Sequence, residues 1–103
     1  MDYSLSVRVL MTEVYRDWIA DLRDRSARAR IQMRIDRLAH GNPGDHRALG
    51  GGISELKIDV GPGYRVYFAR RGSELIILLA GGDKSSQQRD IMRAVELARN
   101  LEE

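Results

Sequence analysis

The chain contains no cysteine at all. That absence excludes a disulfide framework, a thiolate metal site and cysteine nucleophile chemistry. Histidine is nearly as scarce, with only His40 and His46, so a histidine-rich metal centre is not expected and the metal reading is none. No apolar run approaches the roughly 20 residues that span a bilayer. The N-terminus, Met1 to Leu10, lacks the basic patch and apolar run of a signal peptide. A soluble cytoplasmic protein with no membrane association is expected. Lysine is also rare. Of 17 basic residues only Lys57 and Lys84 are lysines, and the rest are arginines. Arginine offers a planar fork that matches phosphate bidentately, whereas lysine is a compact point charge. A GC-rich coding sequence would produce the same arginine bias, but it does not explain where the two lysines sit.

The chain is 103 residues long, 43% hydrophobic and 31% charged, with a formal net charge of +2. That length fits one domain over residues 1–103, and the apolar fraction supports a packed core. No repeat, low-complexity tract or linker divides it.

Leu5, Val7 and Val9 alternate with polar residues, which predicts a strand with one buried face. Thr12 is a good N-cap with Glu13 in the first turn, and Val14, Trp18 and Leu22 give a short helix an apolar stripe. A second helix begins between Asp24 and Ser26. Its stripe is Ala27, Ile31, Ile35 and Leu38, and Gly41 and Asn42 end it. Arg25, Arg28, Arg30, Arg34 and Arg37 decorate its remaining surface. The short connection between the helices predicts an antiparallel hairpin. Gly41 to Gly52 reads as a loop, and His40 and His46 read as loop residues.

Three strands follow. Leu56, Ile58 and Val60 alternate with Glu55, Lys57 and Asp59, and Tyr64, Val66 and Phe68 alternate with Arg65 and Tyr67. Leu75 to Ala80 is continuously apolar, as in a central strand buried on both faces. A last helix starts near Ser85, with apolar positions Ile91, Ala94, Val95, Ala98 and Leu101. The fold class is α+β, in the order β-α-α-β-β-β-α, with the helical hairpin packed on an antiparallel-rich sheet.

Period-2 geometry places Glu55, Lys57 and Asp59 on the same sheet surface as Arg65 and Tyr67. Lys84 falls at the rim of that surface. This set suits a phosphodiester, through charge and hydrogen bonds. It also suits RNA cleavage through the 2′-hydroxyl. That reaction needs a base, positive charge on the phosphorane and an acid for the leaving 5′-oxygen. Arg65 would hold the phosphate, Glu55 or Lys57 would be the base, and Lys84 or Tyr67 would assist the leaving group. The plainer reading is a solvent-exposed face of a half-buried sheet. Trp18 reads as core rather than as a nucleobase stacker, and the arginine-rich helix as a solvated face or a contact for RNA phosphates.

Gly61-Pro62-Gly63-Tyr64-Arg65-Val66-Tyr67-Phe68 and Gly81-Gly82-Asp83-Lys84-Ser85-Ser86-Gln87 resemble signature segments of the RelE/ParE toxin superfamily. The closest resemblance is to its HigB-like branch of addiction module killer proteins. Gly41-Asn42-Pro43-Gly44-Asp45 and Gly52-Ile53-Ser54-Glu55-Leu56-Lys57-Ile58 are similar to the same branch, so the likeness runs from about Thr12 to Leu97. The resemblance implies a type II toxin neutralised by a cognate helix-turn-helix antitoxin, in a complex that includes a toxin–antitoxin heterotetramer. It implies a ribosome-dependent, metal-independent endoribonuclease that cuts mRNA and needs no cofactor. It matches Arg65, Lys57 and Lys84 to the family's basic positions, and Glu55 stands where some relatives carry a base. With the polar face and the arginine-rich helix, the catalytic candidates are Arg65, Lys57, Lys84 and Glu55, and the RNA-contact candidates are Tyr67, Gln87, Arg34 and Arg37. The sequence departs from well-known members in lacking a C-terminal catalytic tyrosine or histidine; Gln87 stands in that region. The alternative on the same scaffold is a non-enzymatic inhibitor of DNA gyrase, like the ParE relatives. A third reading is a degenerate toxin that keeps only antitoxin binding.

Overall fold

The alternating apolar pattern of Leu56, Ile58, Tyr64, Val66 and Phe68 builds the middle of a five-stranded sheet. The computed structural model describes residues 7–101, and Leu5 lies outside that range. The elements are β1 (Arg8–Met11), α1 (Glu13–Asp21), α2 (Arg25–Ala39), β2 (His46–Gly50), β3 (Ile53–Ile58), β4 (Tyr64–Arg71), β5 (Leu75–Asp83) and α3 (Gln87–Asn100). A single 3-10 turn, Lys84–Ser86, precedes α3. The strand order is β1-β5-β4-β3-β2, with β1 parallel to β5 and the other pairs antiparallel. This is the expected α+β arrangement, with the helical hairpin packed on a largely antiparallel sheet.

One strand was not expected. His46–Gly50, inside the segment read as a loop, pairs antiparallel with β3 and forms a sheet edge. Its five residues lie mostly exposed, so no alternation of apolar and polar side chains marks it. His46 therefore opens a strand rather than sitting in a loop. The Arg34 guanidinium pins the approach to this strand. It donates to the carbonyls of Lys57 (2.6 Å), Pro43 (3.0 Å) and Asp45 (2.9 Å).

The helix boundaries follow their caps. The Thr12 hydroxyl accepts from the Tyr15 N–H at 3.1 Å, and the Asp24 carboxylate accepts from the Ala27 N–H at 3.0 Å. Each bond satisfies an otherwise orphaned donor of a first turn. Ala27, Ile31, Ile35 and Leu38 are all buried against Leu56, Ile58, Val66, Phe68, Ile76 and Leu78. In α1 the stripe is centred one position away from the expected one. Tyr15 is the buried residue, and Val14, Trp18 and Leu22 flank it half-buried.

The second face of the sheet is also covered. The amphipathic α3 lies on it through Ala94 and Ala98, packing against Ile53, Tyr67, Ala69, Ile77, Leu79 and Ala80. Alanines at the contact let the helix approach closely. Val95 and Leu101, expected in this stripe, lie at its flanks and are exposed. A bulge at the β4–β5 ladder shifts the register from Phe68↔Leu78 to Tyr67↔Ala80, which turns both Leu79 and Ala80 toward α3.

Candidate active site

Strand register brings the polar residues together in two rows. Arg47, Glu55 and Tyr67 lie side by side on β2, β3 and β4. Lys57 and Arg65 form the next row, and Gly82 of β5 continues it. The expected common face is therefore present, but it is not a wet face. Glu55 and Tyr67 are 0% exposed, under Gln87 and the alanines of α3, and Arg65 is 6% exposed. Lys57 is half-buried, and Asp59 and Lys84 are exposed.

Burying this set has a physical cost that is only partly offset. Gln87 Nε2 donates to Glu55 Oε2 at 2.8 Å, and Arg47 reaches Glu55 Oε1 as an ion pair at 3.4 Å. Arg65 donates one guanidinium N–H to the Tyr64 carbonyl at 3.0 Å and lies 3.9 Å from Asp59. In this patch Glu55 Oε1, Arg65 Nε and the Tyr67 hydroxyl lack a well-formed hydrogen bond, although Arg47 pairs with Glu55 Oε1 and Glu55 acts on the Tyr67 hydroxyl. The Tyr15 hydroxyl, on the other face, is the fourth such atom among the described residues. Leaving a buried polar atom unsatisfied costs about 1–3 kcal/mol. Native domains carry few such atoms, yet three gather here on two adjacent strands. Burial pushes the Tyr67 phenol far above its ordinary range, and the charges of Glu55 and Asp90 add to the effect. It holds its proton throughout neutral pH.

The turn before β4 shapes the rim. Gly63 sits at φ 82°, in the left-handed region that favours glycine, as its GPG context predicts. The aliphatic stem of Lys84 lies across it, so that a Cβ there would come 2.9 Å from the lysine Cε. The Lys84 stem is thereby held over the turn that leads into β4.

The other expected residues separate. Gln87 belongs to the patch through its bond to Glu55. Arg34 is engaged by three carbonyls and serves the fold. Arg37 is exposed and lines, with Arg30 and Lys57, a groove of about 410 Å³ between α2 and the end of β3. Arg47 was missed. Its position opposite Glu55 depends on β2, which no periodicity announced. Among the described residues no group of three or more His, Cys, Asp or Glu could hold a metal ion. Nor is any helix among them long and apolar enough to cross a membrane.

The architecture is broadly consistent with a RelE/ParE-type scaffold. A sequence profile of the family described as Phage derived protein Gp49-like (DUF891) matches residues 17–102. A relative from Haemophilus influenzae is 43% identical over 97 residues, covering 94% of this chain and 98% of its own length. That relative is described only as an uncharacterized protein. The matched span runs from the middle of α1 to the end of α3 and includes Glu55, Lys57, Arg65, Tyr67, Lys84 and Gln87. On these grounds the chain belongs to the Gp49-like family of phage-derived proteins.

Proposed function

We propose that this protein is the toxin of a type II toxin–antitoxin module and that it cleaves mRNA on the ribosome without a metal. The observation that carries the reading is the set of buried atoms without a well-formed hydrogen bond on Glu55, Arg65 and Tyr67, beside Lys57 and Lys84. An acceptor, a cationic donor and a phenolic O–H are the groups needed for transesterification through a 2′-hydroxyl.

In this reading Arg65 and Lys57 bind the scissile phosphate, with Lys84 at its edge. Glu55 takes the proton from the 2′-hydroxyl, whose oxygen attacks phosphorus to form a cyclic phosphate. The bond to the 5′-oxygen breaks, and Tyr67 supplies the proton that this oxygen takes up. Tyr67 carries its proton at neutral pH, and its raised pKa makes it a weak acid that gives up the proton only as the leaving oxygen develops charge. Positive charge on the phosphorane is the largest contribution asked of the site. Gln87 closes the patch over Glu55, so RNA enters by displacing that contact. The groove at Arg30, Arg37 and Lys57 offers the adjoining phosphates a path. A helix-turn-helix antitoxin is the expected partner.

Primer extension on an mRNA translated in a reconstituted system tests this. Cuts that require both ribosomes and Arg65 are the expected result, with Arg65→Ala reducing cleavage by roughly 10²–10³-fold, as for loss of one oxyanion donor. Intact mRNA alongside growth arrest in cells would reject the nuclease reading and favour the gyrase-type inhibitor.

A further inference from the structure

A cleft between two of the helices plays no part in the chemistry above. It encloses about 830 Å³ between α1 and α3, at the C-terminal end of β5. β1 pairs with β5 only as far as Leu78, so residues 79–83 have no strand neighbour on that side. Trp18 fills part of the gap. Its indole lies directly on Gly81, where a Cβ would fall inside the ring. Its edge meets Tyr64, with ring centroids 6.3 Å apart. The indole remains half-exposed and lines the cleft.

The charges around this aromatic floor run against the rest of the molecule. Glu13 and Asp17, one turn apart on α1, form one wall. Asp83 and Asp90 lie at the base, and Arg89 and Arg93 of α3 form the other wall. Four carboxylates thus face two guanidiniums, in a chain whose net charge is +2. The described ion pairs are Arg47–Glu55 and Arg65–Asp59, and neither neutralises Glu13 or Asp17. Hydrogen bonds from Ser85 hold the Asp83 carboxyl below its ordinary range, so it stays ionised at neutral pH.

We infer that this cleft docks a basic segment of a protein partner, which lays an arginine or lysine side chain across Trp18 between Glu13 and Asp17. An indole flanked by carboxylates attracts a cation through both its ring face and the neighbouring charge. The methylene stem of such a side chain covers apolar ring surface while its head reaches the acids. A phosphodiester strand meets net repulsion here, in contrast to the groove at Lys57. The molecule thereby has two charge-sorted surfaces, one for nucleic acid and one for protein. The docking site stands whether or not the chain cleaves RNA.

Trp18 is the chain's single tryptophan, so its fluorescence reports on the cleft alone. The probe is the blocked peptide Gly-Arg-Gly-Arg-Gly, titrated into the full chain at low salt. A glutamate counterpart and a short single-stranded oligodeoxynucleotide are the controls. The expected result is a saturable fluorescence change with the basic peptide only, weakening as salt rises. Glu13→Gln with Asp17→Asn should lower the affinity at least tenfold with unchanged circular dichroism, and Arg65→Ala should leave it intact. Asp17→Asn alone, on the exposed side of α1, should still weaken binding severalfold and serves if the double variant does not fold. No response to the basic peptide, an equal response to the acidic one, or undiminished binding by the variants would overturn the proposal. A response to the oligonucleotide would overturn it in favour of a nucleic-acid cleft.

Discussion

The two faces of the sheet obey different rules. The face under α1 and α2 is largely apolar, with Ile31, Ile35 and Leu38 set into Leu56, Ile58, Val66 and Ile76. The face under α3 mixes alanine-scale packing with a buried glutamate, arginine and tyrosine. On the first face the one buried polar atom without a partner is the Tyr15 hydroxyl, at the end of a side chain that otherwise packs in the core. On the second, three polar atoms are held out of water without a well-formed hydrogen bond, and only the Arg47 ion pair partly offsets the burial of Glu55. A protein selected only for stability would replace them with apolar groups of similar shape, a change that is often neutral or favourable. In the proposed reading the first side of the sheet serves stability and the second carries function.

Substitutions sharpen that contrast in order of effect. Ile31→Ala or Leu56→Ala removes a fully buried side chain from the hairpin face and should cost about 2–5 kcal/mol, read from urea unfolding. Gly63→Val places a branched side chain at φ 82° and against the Lys84 stem. It should cost roughly 1–3 kcal/mol from backbone strain and lower cleavage by moving Lys84. The stability losses of both substitutions should appear in the unfolding midpoint.

Tyr67→Phe reverses the pattern. It deletes one orphaned hydroxyl without changing the packing, so stability should hold or rise by up to about 1 kcal/mol. Cleavage should fall by about 10²–10⁴-fold if the phenol is the proton donor. A variant that is both destabilised and fully active would break the comparison.

Two pH effects are smaller. Burial raises the folded pKa of Tyr15 and Tyr67, so the unfolded chain gives up these protons first. Stability should be level below about pH 10, the unfolded tyrosine value, and fall above it. Tyr15→Phe with Tyr67→Phe should flatten that fall. Asp83 has the opposite sign. Its folded pKa is depressed by bonds from Ser85, so its contribution is present above about pH 4 and is lost as pH falls through the folded value. Asp83→Asn should lower stability slightly at neutral pH and leave it unchanged in strong acid.

Much of this was legible in the residues. The meander, both hairpin helices and their caps follow from periods of 2 and 3.6 and from Thr12 and Asp24. The common face of Glu55, Lys57, Arg65 and Tyr67 follows from alternation alone. Its burial does not. The alternation of polar residues on β3 and β4 looks the same whether water or a helix lies above it. Ala94 and Ala98 carry the information that α3 settles there, but alanine gives a weak apolar signal. β2 was hidden because its exposed residues and three flanking glycines resemble a loop, and Arg47 was hidden with it. Arg34 looked like any surface arginine until the fold wrapped three carbonyls around its fork.

The most direct test of the central claim pairs two readings on one variant, Arg65→Gln. The account predicts a urea midpoint at or near the wild-type value and the loss of ribosome-dependent mRNA cleavage. A protein that unfolds much more readily yet still cuts mRNA would contradict it, and would assign Arg65 to the fold.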